Sequence, residues 1–150
     1  MSKSICFLIP TKIESSHHEY ILSRCIHSIR RVYPYVRIVI AVAKNSLPVT
    51  MEIDEYTTVE QNPHFSVFGC VSLFHTHKYA DQAWILHDSI VLLKEVPDVH
   101  RFSFVYHFHE AGLDIPRNDE GYRRLLTGYE YTQMRATTKV GCFGNMFVID

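Results

Sequence analysis

Three polar residues between two apolar runs pose the chemical question for this chain. His87-Asp88-Ser89 follows Trp84-Ile85-Leu86 and precedes Ile90-Val91-Leu92-Leu93. An ionised carboxylate is costly to bury without a counter-charge or a metal, so Asp88 in that setting reads as a functional group. Asp88 suits a hard divalent cation, Mg2+ or Mn2+, which commonly uses one or two carboxylates and completes its shell with water and phosphate oxygens. A second triplet, Pro10-Thr11-Lys12, closes another apolar run. If the two triplets are neighbours, Thr11 and Lys12 can contact a nucleotide while Asp88 holds the cation on its diphosphate. The plainer alternative is that Asp88 caps the next segment and Lys12 is an ordinary exposed lysine.

The elements that must position these residues are legible from periodicity. Continuous apolar runs at 5–10 and 36–43 read as strands buried on both faces of a parallel sheet. Between them, apolar residues recur three and four apart from Tyr20 to Val32, the pattern of an amphipathic helix, with Ser16 and Glu19 spaced for a capping box and Pro34 as its stop. A short strand is expected at 57–60 and a turn at Asn62-Pro63, then a helix over 65–77 and a strand over 83–86. An alternating aromatic strand is expected over 102–108, a helical stretch over 121–131 and a glycine-punctuated strand over 139–149. This is an α/β chain with a mostly parallel central sheet flanked by helices. In such sheets ligands sit beyond the carboxyl ends of strands, where strand order reverses, and both triplets end strands.

The 150 residues and 47% hydrophobic content describe one domain, 1–150, able to bury a continuous core. A formal net charge of -1 leaves no footprint for nucleic acid or an anionic membrane surface, so a specific small ligand is the better expectation. The apolar run near the N-terminus is too short for a signal segment or a membrane span. Cys6, Cys25, Cys70 and Cys142 form no CxxC pair and sit in apolar contexts, which fits free thiols in a reducing, cytoplasmic setting rather than a zinc knuckle or redox motif. His75 and His77 lie two apart on the expected helix and face different sides, which disfavours a shared metal. The tyrosines and arginines between Tyr122 and Arg135 suit either ring stacking or a partner surface.

The strand at 5–10 with Thr11 after it, the helix around Arg24, the strand at 36–43, the segment 68–89 and the glycine-rich Gly141-Cys142-Phe143-Gly144-Asn145-Met146 together resemble the nucleotide-sugar-binding half of a GT-A glycosyltransferase, family 2-like. That resemblance covers most of the chain and implies a Rossmann-like GT-A fold. It also implies a nucleoside diphosphate sugar as donor, a UDP-sugar being favoured, a metal held by a DxD triplet, and transfer to a hydroxyl of a glycan or protein acceptor. Here the triplet is His87-Asp88-Ser89, with a single carboxylate: His87 beside Asp88 can still bind manganese, whereas Ser89 is a poor neutral ligand, which implies weak or dispensable metal binding.

Inverting transfer needs a base beside the acceptor hydroxyl, and a histidine or carboxylate is the usual group. His107 and His109, two apart on an expected strand, share one face; Glu110, Asp114 and Asp119 follow. The resemblance places the base after the glycine-rich segment, which makes Asp150 a candidate or the start of a region carried by a longer protein. Asp54 and Glu60 are expected to hydrogen-bond the base or ribose. The rival expectation is a non-catalytic module, a degenerate glycosyltransferase fold that binds a nucleotide or serves as an assembly surface.

Overall fold

The computed structural model describes residues 3–64, 66–96, 103–104, 107–109, 140–142 and 147–150. β1 (Ile5–Thr11) is its central strand, followed by α1 (Ser16–Val32), β2 (Arg37–Val42), β3 (Thr57–Gln61), α2 (Ser66–His77) and β4 (Gln82–Ile85). Four short strands complete the order: β5 (Ser103–Phe104), β6 (His107–His109), β7 (Val140–Cys142) and β8 (Phe147–Ile149). The main sheet runs β3-β2-β1-β4-β8-β5. Its first four strands are parallel, and β8 joins antiparallel to both β4 and β5. The result is a mixed α/β sheet whose order reverses at β1, with β2 on one side and β4 on the other.

Alternation along these strands explains why their sequences are apolar throughout. Cys6 and Leu8 of β1, with Val39, Ala41, Ala83 and Ile85, face α2 and pack on Val67, Cys70, Leu73 and Phe74. Phe7 and Ile9, with Ile38, Ile40 and Trp84, face the other way and pack on Leu22, Cys25 and Ile29 of α1. A strand covered by helices on both faces has no solvent side, so no polar residue interrupts it. Each large aliphatic side chain removed from water in this way contributes about 1.5–3 kcal/mol.

Several local expectations are corrected. The N-cap of α1 is Ser15, whose Oγ accepts from the His18 amide at 3.3 Å, and the Ser16–Glu19 capping box does not form. The Glu19 carboxylate instead accepts from the hydroxyl of Thr50 at 2.7 Å and the amides of Thr50 and Met51, fastening the loop after β2 to α1. The stretch 90–96 runs back along α1 as a strap. The Ser28 hydroxyl accepts from the Leu92 amide at 2.8 Å and the Tyr33 hydroxyl from the Val96 amide at 2.7 Å. Ile90, Leu92 and Val96 pack inward, whereas Val91 and Leu93 are 57% and 81% exposed. The second apolar run beside Asp88 is therefore only half buried.

The expected strands at 102–108 and 139–149 each divide between two sheets. Phe104 pairs with Phe147 in the main sheet and His107 with Cys142 in a separate two-stranded sheet. Two residues separate these pairs on one strand and four on the other, so the register slips by two, which a continuous ladder cannot do. The helical stretch expected at 121–131 lies outside the described residues. Among those described, no helix is long and apolar enough to cross a membrane.

Asp54 belongs to the amino end of the sheet, where it precedes β3. Its carboxylate pairs with Arg30 of α1, with Arg30 Nη2 at 3.0 Å, and accepts from the Thr57 hydroxyl at 2.8 Å and the Tyr56 amide. The Arg30 hydrogen bond, aided by Thr57, holds this carboxyl below the ordinary value of 3.8. A depressed carboxyl contributes stability that is present above its unfolded pKa and lost as pH falls through the folded one. Asp54→Asn should therefore flatten the fall in Tm on acidification below about pH 4. An unchanged slope in thermal melts across pH 2–6 would contradict this role.

Candidate functional site

The reversal of strand order at β1 opens a crevice at the carboxyl ends of β1 to β4. It forms a pocket of about 640 Å3. Pro10, Thr11 and Lys12 enter it from β1, Ala43, Lys44 and Asn45 from β2, Asn62 and His64 from β3, and His87 and Asp88 from β4. At its centre the buried Thr11 hydroxyl donates to Asp88 Oδ2 at 2.6 Å, which joins two segments 77 residues apart in sequence. Asp88 is half-buried, and its second carboxylate oxygen faces no hydrogen-bond donor among the described residues.

The backbone holds this pair in place. Leu86 donates its amide to Leu8 O at 3.0 Å, which extends the β1–β4 ladder to the edge of the triplet. The Cys25 thiol of α1 then donates to the His87 carbonyl at 3.6 Å. Burial, with the nearby Asp88 charge second, pushes the Cys25 thiol up to about 12, so it stays protonated as the donor. Cys6 and Cys70 are likewise pushed up to about 12 by burial. Thiols held so far from the thiolate are structural and not nucleophiles.

On the β2 side, Ala43 donates to Thr11 O at 3.0 Å and Leu47 to Ile13 O at 2.8 Å, while Ser46 Oγ accepts from the Ile13 amide at 2.8 Å. These bonds fix the two loops that carry Lys12 and Lys44. Lys12 pairs with Glu14, both exposed, whereas Lys44 makes no ion pair among the described residues. Two lysines and two histidines around one carboxylate make a lining suited to a phosphate-bearing ligand.

Asn62 is buried, and the structure explains why α2 carries a glycine in its middle. A Cβ built on Gly69 would stand 1.3 Å from Asn62 Oδ1. The helix therefore lacks a side chain where the asparagine lies on its backbone, and Asn62 Oδ1 in turn accepts the His64 amide at 3.2 Å. The Asn62 amide continues the ladder to Val42 O at 2.8 Å.

Of the residues expected from sequence, Pro10, Thr11, Lys12, His87 and Asp88 come together here. Ser89 is exposed in the turn after Asp88 and does not line the pocket. Asp54 lies at the opposite end of the sheet, bound to Arg30. Glu60 lies near Tyr79, whose hydroxyl pKa is raised by burial first and by the Glu60 charge second, and is not part of the lining. Asp150 also lies at the amino end, where its carboxylate pairs with Lys3 at 2.6 Å and accepts from Gln82 Nε2 at 2.7 Å, the length of β4 away from Asp88. His107 and His109 sit opposite Cys142 and Val140 in the two-stranded sheet. Glu110, Asp114 and Asp119 lie outside the described residues.

Lys44, Asn45, Asn62 and His64 are the residues sequence reasoning missed. Each lies within three residues of the end of a parallel strand, so the rule that drew attention to Thr11 and Asp88 also points to them when applied to β2 and β3. Among the described residues no three His, Cys, Asp or Glu side chains gather to hold a metal. Asp88, a half-buried carboxylate lining the pocket, fits a Mg2+ or Mn2+ whose other ligands are phosphate and water. No family model, no characterised protein and no solved structure matches this chain.

The Asn62–Gly69 contact yields a stability test. Gly69→Ala gains about 1 kcal/mol of helix propensity, yet the new methyl must displace a buried amide, and such overpacking costs about 1–3 kcal/mol. A net loss of stability is expected in urea unfolding. It should shrink when Asn62→Ala is combined with it, and strictly additive effects would contradict the contact.

Proposed function

We propose that this pocket binds a nucleoside diphosphate sugar and that the chain is the donor-binding domain of a GT-A-like, Rossmann-type glycosyltransferase acting on a hydroxyl of a glycan or protein. The observation that carries this reading is the Thr11–Asp88 pair at the reversal point of a parallel sheet, ringed by Lys12, Lys44, His64 and His87. A diphosphate needs cations and amide donors around it and a carboxylate-held metal between its oxygens. This lining supplies the cations and the single carboxylate.

Asp88 would hold a Mn2+ or Mg2+, with His87 as a second ligand within reach of the same pocket. When bound, such an ion acts as a Lewis acid on the departing diphosphate. Thr11 orients the Asp88 carboxylate by donating to one oxygen, which leaves the other directed at the ligand. Lys12 and Lys44 neutralise phosphate charge from the β1 and β2 loops. Asp54 and Asp150 are engaged at the far end of the sheet, so neither takes a proton from an acceptor hydroxyl at this pocket.

A non-catalytic reading has one observation in its favour. Among the described residues the pocket is lined by one carboxylate, and the serine that stands where a second acidic ligand would be expected lies outside it. A domain of that kind would hold a nucleotide without turning a sugar nucleotide over. Sugar release or transfer from UDP-glucose, followed in the presence of Mn2+, separates the two readings.

The direct test of the site is Asp88→Ala. Calorimetric titration with UDP and Mn2+ should show at least a tenfold weaker affinity, about 1.4 kcal/mol, with far-UV circular dichroism unchanged. Retention of the full Mn2+-dependent affinity would remove Asp88 from the site.

A further inference from the structure

We propose that Phe68, with His64 and Pro63, forms a stacking platform for the planar base of the nucleotide, and that Lys44 marks where the ligand passes from base to phosphates. This rests on the donor-site reading above and names a part of the site that neither the His87-Asp88-Ser89 triplet nor the Thr11 loop supplies. Phe68 is 70% exposed on the first turn of α2. A single exposed aromatic is unremarkable on a surface. This one lies in a concavity of about 530 Å3 shared with Lys44, Pro63 and His64. Lys44 and His64 also line the main pocket, so the two hollows share these two side chains.

The platform is held before any ligand arrives. Asn62 is buried against Gly69 and accepts the His64 amide, and Pro63 restricts the backbone between them. Phe68 opens the helix that packs on β1 and β4, the two strands whose ends carry Thr11 and Asp88. A base on Phe68 would place the phosphates past Lys44 and Lys12 and the terminal phosphate at Asp88. An aromatic face accepts any base by stacking, so the platform supplies affinity for a nucleotide over a bare diphosphate.

The experiment compares UDP with inorganic pyrophosphate, each titrated with Mn2+ into the full chain and into Phe68→Ala and Phe68→Tyr. Phe68→Ala should weaken UDP roughly tenfold while leaving pyrophosphate unchanged, and Phe68→Tyr, which keeps the ring, should retain UDP affinity. Equal losses for both ligands would make Phe68 a structural residue and overturn the platform. UDP binding that still depends on Asp88 but ignores Phe68→Ala would overturn it too, leaving the donor site standing. If the unaltered chain binds neither ligand, both readings fall.

Discussion

The structure depends on β1 being paired in parallel on both sides. β2 lies along one edge and β4 along the other, so the helices that connect the strands cover opposite faces, α1 on the Phe7 and Ile9 side and α2 on the Cys6 and Leu8 side. A strand buried in this way can present polar groups only at its ends. Thr11 is where β1 leaves the sheet, and its hydrogen bond to Asp88 ties the end of β1 to the turn after β4 at the pocket.

The helices do more than cover the sheet. Cys25 of α1 takes hold of the His87 carbonyl, and Ser28 and Tyr33 anchor the strap that follows it, so one face of one helix sets the path of the chain after Asp88. On the other face, the missing side chain of Gly69 lets Asn62 lie against α2 and fixes the turn that carries His64. Positioning of the pocket is therefore spread over core residues on both helices, while the groups that would meet a ligand come from the four loops. Lys12, Lys44 and His64 are exposed, with little packing of their own, and their placement follows from the loop hydrogen bonds.

Much of this architecture was legible in the amino-acid sequence, because a strand covered on both faces must be continuously apolar and a helix covered on one face must repeat every three to four residues. The runs at 5–10, 36–43 and 83–86 fall within a residue or two of β1, β2 and β4, and the stripe from Tyr20 to Val32 ends with α1 but misses its first turn. Direction was harder to read than identity. Asp54 precedes a parallel strand and so must lie at the amino end, away from the ligand, a consequence available from the sequence but not drawn from it. Asp150 follows β8, and only the antiparallel pairing of β8 places it at the same far end. Burial was harder still: apolar composition after Asp88 suggested an enclosed carboxylate, yet Val91 and Leu93 face solvent and Asp88 is half-buried. The slip in register between the two sheets has no signature in an alternating aromatic run.

The central claim is that a metal-diphosphate ligand sits at the carboxyl ends of β1 and β4. Mn2+ added with UDP to isotopically labelled protein tests it by location, since the paramagnetic ion broadens the amide resonances of nearby residues. Loss of the signals of Thr11, Lys12, His87 and Asp88, with those of Asp54 and Asp150 kept, is the predicted result. Broadening centred on the carboxylates at the amino end, or none at any of these positions, would contradict it.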